Sequence, residues 1–486
     1  MAPEIGAISW PLCGARETSG ALLPGCDIIT DMLHNSGIKQ NYSWRIRTGC
    51  LALLFVAAGA CSPPADDPGP EPQVDAGQPG DELPPLPGEV PASEVERDLM
   101  PDVAPGALDA LVAGNTAFAI EMYRGVQGQP GNYFMSPLSV SLALAMTYAG
   151  ARGDTATQMA QAMHFDLPGE ELHSAFNALD LALDSRGFPT DGSDGRLFKL
   201  NLANATFGQL GYPFLQEYVD LLAEHYESGM SLLDFAADPD AAVDAINGWI
   251  AAATNDRIVD ILQYGDISPL AKLVLVNTIY FNANWAEPFA ENGTEPGTFK
   301  GLAGDVTASM MSGGGFSGYY QGPDHEAFSV AYDGGELDMV IIVPDDGLFI
   351  DVENALDSQF LADTFSALEG TGAGPLVMPK FEFRQKIELR PLLESAGMTD
   401  AFDPELADFS GIDGTNELFF HRVIHEAFIA VDEEGTEAAG VTVVLPPPPS
   451  IPPPPRVIDR PFIFLIRDRA TNAVLFLGRV VDPVTQ

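Results

Sequence analysis

The chain has 486 residues and a formal net charge of −46. This charge argues against nucleic acid as a partner and against attachment to an anionic membrane through a basic surface, because both need clustered Lys and Arg. Hydrophobic residues make up 46% of the sequence, enough for a large core, so a wholly disordered protein is excluded.

Residues 1–60 have the organisation of an N-terminal extension followed by an export signal. Arg45 and Arg47 precede a short apolar run at 50–60, which ends in small residues and is too short to span a membrane. Met32 is an alternative start of translation.

Cys61 follows this run directly, and residues 58–61 read Ala-Gly-Ala-Cys. The segment resembles the lipidation motif of bacterial lipoproteins, although leucine is usual where Ala58 stands. The resemblance implies that Cys61 is lipidated and that the protein is exported to the cell envelope, on the surface or extracellular side. An ordinary secretion signal with a chance cysteine is the alternative.

The next segment, residues 61–105, is predicted to be a tether. Residues 62–105 contain twelve prolines, eleven acidic residues and no aromatic residue. Such a composition cannot bury a core and favours an extended, semi-rigid spacer. The folded domain is therefore expected at 106–486.

Helical patterns come first in this domain and strand patterns follow. Ser136-Pro137 is typical of a helix start, because Ser caps the free N–H groups and Pro fits the first turn. Helices are predicted at 106–125, 138–149, 154–164, 169–186, 212–228 and 239–256. Strands are predicted at 273–281, 339–343, 376–383, 427–432, 462–466 and 474–480, the last two as a hairpin. This order favours an α+β fold over repeated βαβ units.

Motifs of the common enzyme classes are absent from the sequence. It contains no Gly-x-Ser-x-Gly, no His-Glu-x-x-His and no phosphate-binding glycine loop, and residues 62–486 contain no Cys. His421 and His425 are four residues apart, but the surrounding pattern predicts a strand, which argues against a metal site on one helical face. We therefore predict that the protein is not an enzyme and holds no metal or cofactor.

Residues 432–455 form the most unusual segment of the sequence. A predicted strand ends at Asp432, Gly435 follows, and residues 436, 438, 440, 442 and 444 are all small or β-branched and uncharged. Such a face is suited to entering the middle of a sheet. The composition is also that of a loose linker before the proline-rich residues 446–455.

Residues 433–440, Glu-Glu-Gly-Thr-Glu-Ala-Ala-Gly, resemble the hinge of the reactive-centre loop of serpins. Further segments resemble the same family in family order: 132–139, 145–155, 276–285, 379–381, 397–402, 407–411, 423–428, 459–464 and 477–483. Arg456 is a departure, because an apolar residue is commoner there. The resemblance covers about 106–486.

The resemblance implies a serpin fold with about nine helices, three β-sheets and an exposed reactive-centre loop at 433–455. It also implies a suicide-substrate inhibitor that traps a serine or cysteine endopeptidase when its cleaved loop inserts into the central sheet. Three sets of site residues follow from it. The hinge is Glu433, Glu434, Gly435, Thr436, Glu437, Ala438, Ala439 and Gly440. The shutter, a buried hydrogen-bond cluster beneath the opening sheet, is Ser136, Ser139, Asn277 and His425. The breach contains Trp285.

By the family's spacing from Gly435, the protease attacks the bond between Pro449 and Ser450. Few serine proteases cut between flanking prolines, and prolines 446–449 cannot donate ladder hydrogen bonds. Cleavage near Val443, Val444 or Leu445 by an elastase-like enzyme is therefore an alternative. A non-inhibitory binding or scaffold protein is another.

Few partners are expected besides the target protease. In the predicted helix 169–186, the counterpart of the helix that binds heparin in some serpins, Arg186 is the sole Lys or Arg. We therefore expect no activation by heparin, no nucleic acid partner, contact with a membrane through the N-terminal lipid alone, and a monomer.

Overall fold

The computed structural model describes residues 83–91, 93–187, 198–226, 230–436 and 454–485. Within them the helices are α1 Ala107–Val126, α2 Pro137–Tyr148, α3 Gly153–Ala162, α4 Gly169–Asp184, α5 Gln216–His225, α6 Pro239–Ala253, α7 Phe349–Ala355, α8 Ser358–Leu368, α9 Arg390–Ser395 and α10 Ser410–Asp413. The ten helices and three sheets of the described residues confirm the expected fold class.

The strands of the described residues are β1 Tyr133–Met135, β2 Phe198–Gln209, β3 Met230–Leu233, β4 Leu273–Asn284, β5 Glu295–Gly301, β6 Gly304–Phe316, β7 Gly318–Gln321, β8 His325–Ala331, β9 Leu337–Pro344, β10 Gly374–Pro379, β11 Phe381–Glu388, β12 Ile424–Val431, β13 Gly435–Thr436, β14 Arg456–Val457, β15 Phe462–Asp468 and β16 Val474–Val480. The central sheet has the order β11-β12-β13-β4-β2-β3. A second sheet has the order β1-β16-β15-β9-β8-β7, and a third has the order β14-β10-β6-β5.

The helix starts follow from local chemistry. Ser136 Oγ accepts a hydrogen bond from the Ser139 backbone N–H at 3.2 Å, and Pro137 occupies the first turn of α2. Asp238 caps α6 in the same way, accepting from the Ala241 N–H at 3.0 Å. The predicted closing hairpin is confirmed, because β15 and β16 pair antiparallel.

One predicted strand is wrong as a single element. Residues 376–383 divide at Lys380 into β10, which pairs with β6 in the third sheet, and β11, which pairs with β12 in the central sheet. A continuous alternation of side chains does not show which sheet each half joins, since both halves are extended.

The central sheet is covered on both faces. Along β4, Ile279, Phe281 and Ala283 belong to the main core, which also contains α1, α2 and the second sheet. Val276 points into a second core with Phe207 of β2 and Trp249 of α6. This alternation explains why β4 is a continuous apolar run.

The part of the predicted tether that the structure describes is not a free spacer. Residues 83–98, here named the N-terminal strap, lie against the domain. Trp249 Nε1 donates to the Pro84 carbonyl at 2.8 Å, and Glu89 forms an antiparallel bridge with Leu232. Arg97 pairs with Asp180 at 2.5 Å.

The strap also extends the second core, because Leu83 and Leu86 are half-buried against it. The proline content indicated an extended chain. It did not reveal the two leucines as anchors, because each stands alone among prolines and acids.

We expect Leu86→Asp to lower the free energy of unfolding by about 1–3 kcal/mol, because it removes apolar burial and places a carboxylate against the second core. Denaturant titration of the full chain measures the change. Val90→Asp is the matched control, since the Val90 side chain is 62% exposed, and it should change stability by less than about 0.5 kcal/mol. Equal stability of the two variants would show that the strap does not contribute.

Candidate functional site: the hinge and the seam of the central sheet

The first residues of the predicted loop already lie inside the central sheet. β13 is placed between β12 and β4, with Thr436 opposite Val431 on one side and Ala283 on the other. Thr436 is only 2% exposed. A Cβ on Gly435 would lie 2.0 Å from the Ala283 carbonyl oxygen, so this position accepts no side chain.

The turn into the hinge is held by hydrogen bonds to the side chain and carbonyl of Asp432 and by an aromatic stack. Asp432 Oδ1 accepts from the N–H groups of Glu434 and Gly435 at 3.0 and 3.2 Å. Trp285, the expected breach residue, donates its indole N–H to the Asp432 carbonyl at 3.0 Å. It stacks on Tyr332 at 4.6 Å between ring centroids.

Tyr332 ties the hinge to the main core, because its hydroxyl lies 2.8 Å from the Thr436 hydroxyl. Tyr332 is fully buried, and burial raises its pKa well above its usual value. The phenol therefore stays protonated and able to donate. Thr436 is thus fixed between two strands and one buried tyrosine.

Glu433 anchors the turn through its side chain. Its carboxylate lies 2.5 Å from the Lys380 ammonium and accepts from the Thr294 hydroxyl. Burial raises the pKa of Glu433, but the hydrogen bonds from Lys380 and Thr294 outweigh it and leave the pKa below its usual value. The carboxylate is therefore ionised at neutral pH.

Below the hinge, β12 and β4 pair directly and parallel, through His425–Asn277, Glu426–Thr278 and Ala427–Ile279. We call this contact the seam. Beneath it the four predicted shutter residues form one buried cluster. The Ser136 backbone N–H donates to His425 Nε2 at 3.0 Å, and His425 Nδ1 lies 2.6 Å from Asn277 Oδ1. Asn277 Nδ2 donates to the Ser139 hydroxyl at 2.5 Å.

These partners assign the protonation state of His425. Nε2 accepts a hydrogen bond from a backbone N–H, so the ring proton is on Nδ1 and is donated to Asn277. Burial lowers the pKa of His425 to about 3. The neutral ring therefore bridges α2 and both strands of the seam.

Asn204 of β2 also belongs to this cluster, and the sequence analysis missed it. Its Oδ1 accepts from Ser139 Oγ at 3.1 Å and from Asn277 Nδ2. Its Nδ2 is buried without a partner among the described residues. No strand was predicted at the position of β2, so no sequence signal placed Asn204 in this cluster.

Several predicted site residues lie outside the described residues. They are Cys61, Glu437, Ala438, Ala439, Gly440, Val443, Val444, Leu445, Pro449 and Ser450. Among the described residues, no group of three or more His, Cys, Asp or Glu is placed to hold a metal ion, and no helix is long and apolar enough to cross a membrane.

Comparison with known proteins gives a consistent result. A family model described as serpin (serine protease inhibitor) matches residues 113–483. An uncharacterised serpin-like protein of Thermococcus kodakarensis is 33% identical over 89% of this chain and 98% of its own length. The leukocyte elastase inhibitor of Bos taurus is 35% identical over 77% of this chain and all of its own length. The native-state crystal structure of the thermophilic serpin tengpin superposes with a TM-score of 0.66 at 27% identity, covering 81% of this chain and 97% of that one.

The neutral state of His425 predicts a pH dependence of stability. The unfolded histidine binds a proton below about pH 6.5, whereas in the folded chain the pKa of His425 is about 3. Between these values the unfolded state binds more protons, so the free energy of unfolding falls as the pH falls, by about 1.4 kcal/mol per pH unit for this residue. Buried His173 has a pKa also lowered to about 3, first by burial and then by His225, and adds a similar slope.

Denaturant titrations between pH 6.5 and pH 4 measure this slope. His425→Gln should remove the contribution of His425 and leave that of His173. His421→Gln, at an exposed position in the same segment, is the matched control and should keep the full slope. An unchanged slope in His425→Gln would contradict a neutral buried histidine at the seam.

Proposed function

The chain belongs to the serpin family, and from that premise we propose that it is a suicide-substrate inhibitor that traps a serine or cysteine endopeptidase. Serpins are generally protease inhibitors rather than catalytic enzymes. The target would attack a carbonyl carbon of the exposed loop and form an acyl bond to it. The peptide bond breaks, and the amine on the far side leaves with a proton. The loop then enters the central sheet while it still carries the protease.

The observation that carries this proposal is the placement of β13 between β12 and β4. Gly435 and Thr436 have already begun the new strand, antiparallel to β4. Further insertion extends an existing register. The backbone pairing that it must separate between the described parts of β12 and β4 is the seam of three residue pairs.

The length of the loop fits this task. Residues 436–449 span about 46 Å when extended at ~3.3 Å per residue, enough to carry an attached protease from one pole of the domain to the other. The native state must then be metastable and protected by a kinetic barrier. Insertion must break the hydrogen bonds of the seam and shutter. These bonds are therefore candidates for the origin of the kinetic barrier.

Prolines 446–449 favour a second candidate, a binding or scaffold protein of the same fold that traps no protease. They precede the expected bond and exclude most proteases from it. The two candidates differ in a measurable way, because only the inhibitor forms a covalent complex that survives denaturation.

Mixing the purified chain with trypsin-, chymotrypsin-, elastase-, subtilisin- and prolyl-endopeptidase-type enzymes tests the proposal on denaturing gels. We expect a denaturation-resistant complex with one class, accompanied by a released C-terminal peptide. Cleavage without a complex and without a rise in melting temperature would favour the scaffold candidate.

Thr436→Arg should convert inhibition into simple substrate behaviour, because a long cation cannot replace a side chain that is buried against Tyr332. The partition between complex and cleaved product, measured on the same gels, should move to cleaved product by at least about tenfold, which corresponds to 1.4 kcal/mol in the competing barriers. Leu302→Arg, at a side chain 52% exposed, is the matched control. Undiminished trapping by Thr436→Arg would contradict insertion through this hinge.

We further propose that the protein is exported and anchored to the cell envelope through a lipid on Cys61, with the inhibitor domain on the surface or extracellular side. The motif at 58–61 and the preceding apolar run support this proposal. Expression in a bacterial host with labelled fatty acid should label the chain, and Cys61→Ser should abolish labelling. Equal labelling of both chains would contradict lipidation at Cys61.

A further inference from the structure

We propose that prolines 446–449 end the inserted strand where β4 ends, and that they then occupy an apolar cavity at that end of the sheet. This assigns the bond between Pro449 and Ser450 as the one that the target attacks. The inference rests on the proposed insertion mechanism and specifies the bond within it.

The register of the hinge fixes where each loop residue would lie after insertion. Thr436 is opposite Ala283 and the strands are antiparallel, so each step forward in the loop is one step back along β4. Pro446 then falls opposite Leu273, which is the first residue of β4. Residues 436–445 therefore cover the rest of β4 from Ala283 back to Val274.

The other neighbour, β12, gives an independent check. Thr436 is opposite Val431, and this pairing is also antiparallel. Counting along both strands places residue 442 opposite Asn277 of β4 and opposite His425 of β12. These two residues are partners across the seam of the native chain. The three pairings are therefore consistent with a single register.

This register removes the objection to prolines in a central strand. Proline lacks the N–H that a ladder needs and is excluded from the interior of a sheet. β12 begins at Ile424, opposite residue 443, and β4 begins at Leu273, opposite Pro446, so neither strand supplies partners beyond residue 446. The proline block starts where the ladder ends.

A cavity of about 400 Å³ lies at this end of β4 and β12. Leu270, Ala271 and Lys272 line one side, and Leu418, Phe419 and Phe420 line the other. Counted past the ends of β4 and β12, the same register would bring Pro447 near Lys272 and Phe420, and Pro449 near Leu270 and Leu418, which lie in the loops that precede these strands. Each of these four residues lines the cavity.

Two large apolar side chains at the cavity are exposed in the native chain. Leu270 is 81% exposed and Phe419 is 40% exposed. Proline rings placed between them would remove this apolar surface from water, which is favourable. A four-proline segment is extended and stiff before it docks, so it loses little conformational entropy on binding.

The cavity distinguishes the alternative bonds. Cleavage after Val443, Val444 or Leu445 would leave the prolines on the C-terminal fragment and the cavity empty. Cleavage after Pro449 would bring all four prolines to the cavity. The proposed target is therefore an endopeptidase that accepts proline immediately before the bond it cuts.

Engineered cysteines test the position of the prolines without the target protease. The four native cysteines of the full chain are changed to serine, and one cysteine pair is introduced by Pro448→Cys and Ala271→Cys. Ser450→Lys is added so that a lysine-specific protease can nick the loop after the prolines. Ala271 lies two residues before β4, and a segment seated beside it at about the 4.8 Å spacing of neighbouring strands is within the range of a disulfide. After mild oxidation we expect most nicked molecules to lose both free thiols, counted with a maleimide reagent, and most uncut molecules to keep them.

A second measurement does not depend on the disulfide. Without the introduced cysteines, nicked Ser450→Lys should melt several degrees above nicked Val444→Lys, whose prolines remain on the other fragment. Ala271→Trp, which fills the cavity, should remove this difference while nicking still raises the melting temperature. Equal melting temperatures of the two nicked chains would overturn the seating of the prolines.

The outcomes separate this inference from the proposed function. A rise in melting temperature on nicking, without disulfide formation, would overturn occupation of the cavity and leave insertion intact. Disulfide formation in the uncut chain would show that occupation does not follow cleavage. No rise in melting temperature in either nicked chain would overturn insertion itself, and with it the inhibitor proposal.

Discussion

The structure depends on one contact, the seam between β12 and β4, which the proposed insertion requires to be both stable and separable. Three residue pairs join these strands, and beneath them a neutral, fully buried His425 connects α2 to Asn277. Each polar group in such a cluster is worth little net while it is satisfied, but leaving it unsatisfied in the interior costs about 1–3 kcal/mol. The net strength of these hydrogen bonds therefore stabilises the seam little. What keeps the seam closed is the free-energy cost of separating its buried polar groups before new hydrogen-bond partners reach them. A barrier of this origin suits a metastable state, because it delays insertion without making the native state the lowest in energy.

The opposite face of the seam is closed by apolar packing. Val276 of β4 and Ile424 of β12 both belong to the second core, together with Phe207 and Trp249. A strand that enters between β4 and β12 must separate these side chains as well as the shutter below. The N-terminal strap contacts the same core through Leu83 and Leu86 and accepts a hydrogen bond from Trp249. Residues that the composition assigned to a spacer therefore contribute to the packing over the region that the proposed insertion would open.

Local chemistry made much of this arrangement predictable. The hinge glycine, the Ser-Pro helix start and the buried run of β4 are specified by neighbouring residues, and the shutter residues followed from the family resemblance. The division of residues 376–383 at Lys380 was not predictable, because an extended segment has the same side-chain pattern whether it belongs to one sheet or is shared by two. Asn204 was missed for a related reason. Its role depends on lying opposite Asn277, and that partner is distant in sequence.

The register that places the prolines also accounts for a hydroxyl in the loop. The proposed insertion would put one strand between His425 and Asn277, so their Cα positions would move from about one to about two strand spacings apart, and their direct hydrogen bond would be lost. Residue 442 falls between them and shares a face with Thr436, which points to the main core through its contact with Tyr332. Position 442 is Thr, whereas positions 438, 440 and 444 on the same face are Ala, Gly and Val. In this register, the Thr442 hydroxyl would lie where His425 and Asn277 lose their direct hydrogen bond. The sequence of the loop is therefore matched to the buried cluster whose hydrogen bonds it would replace.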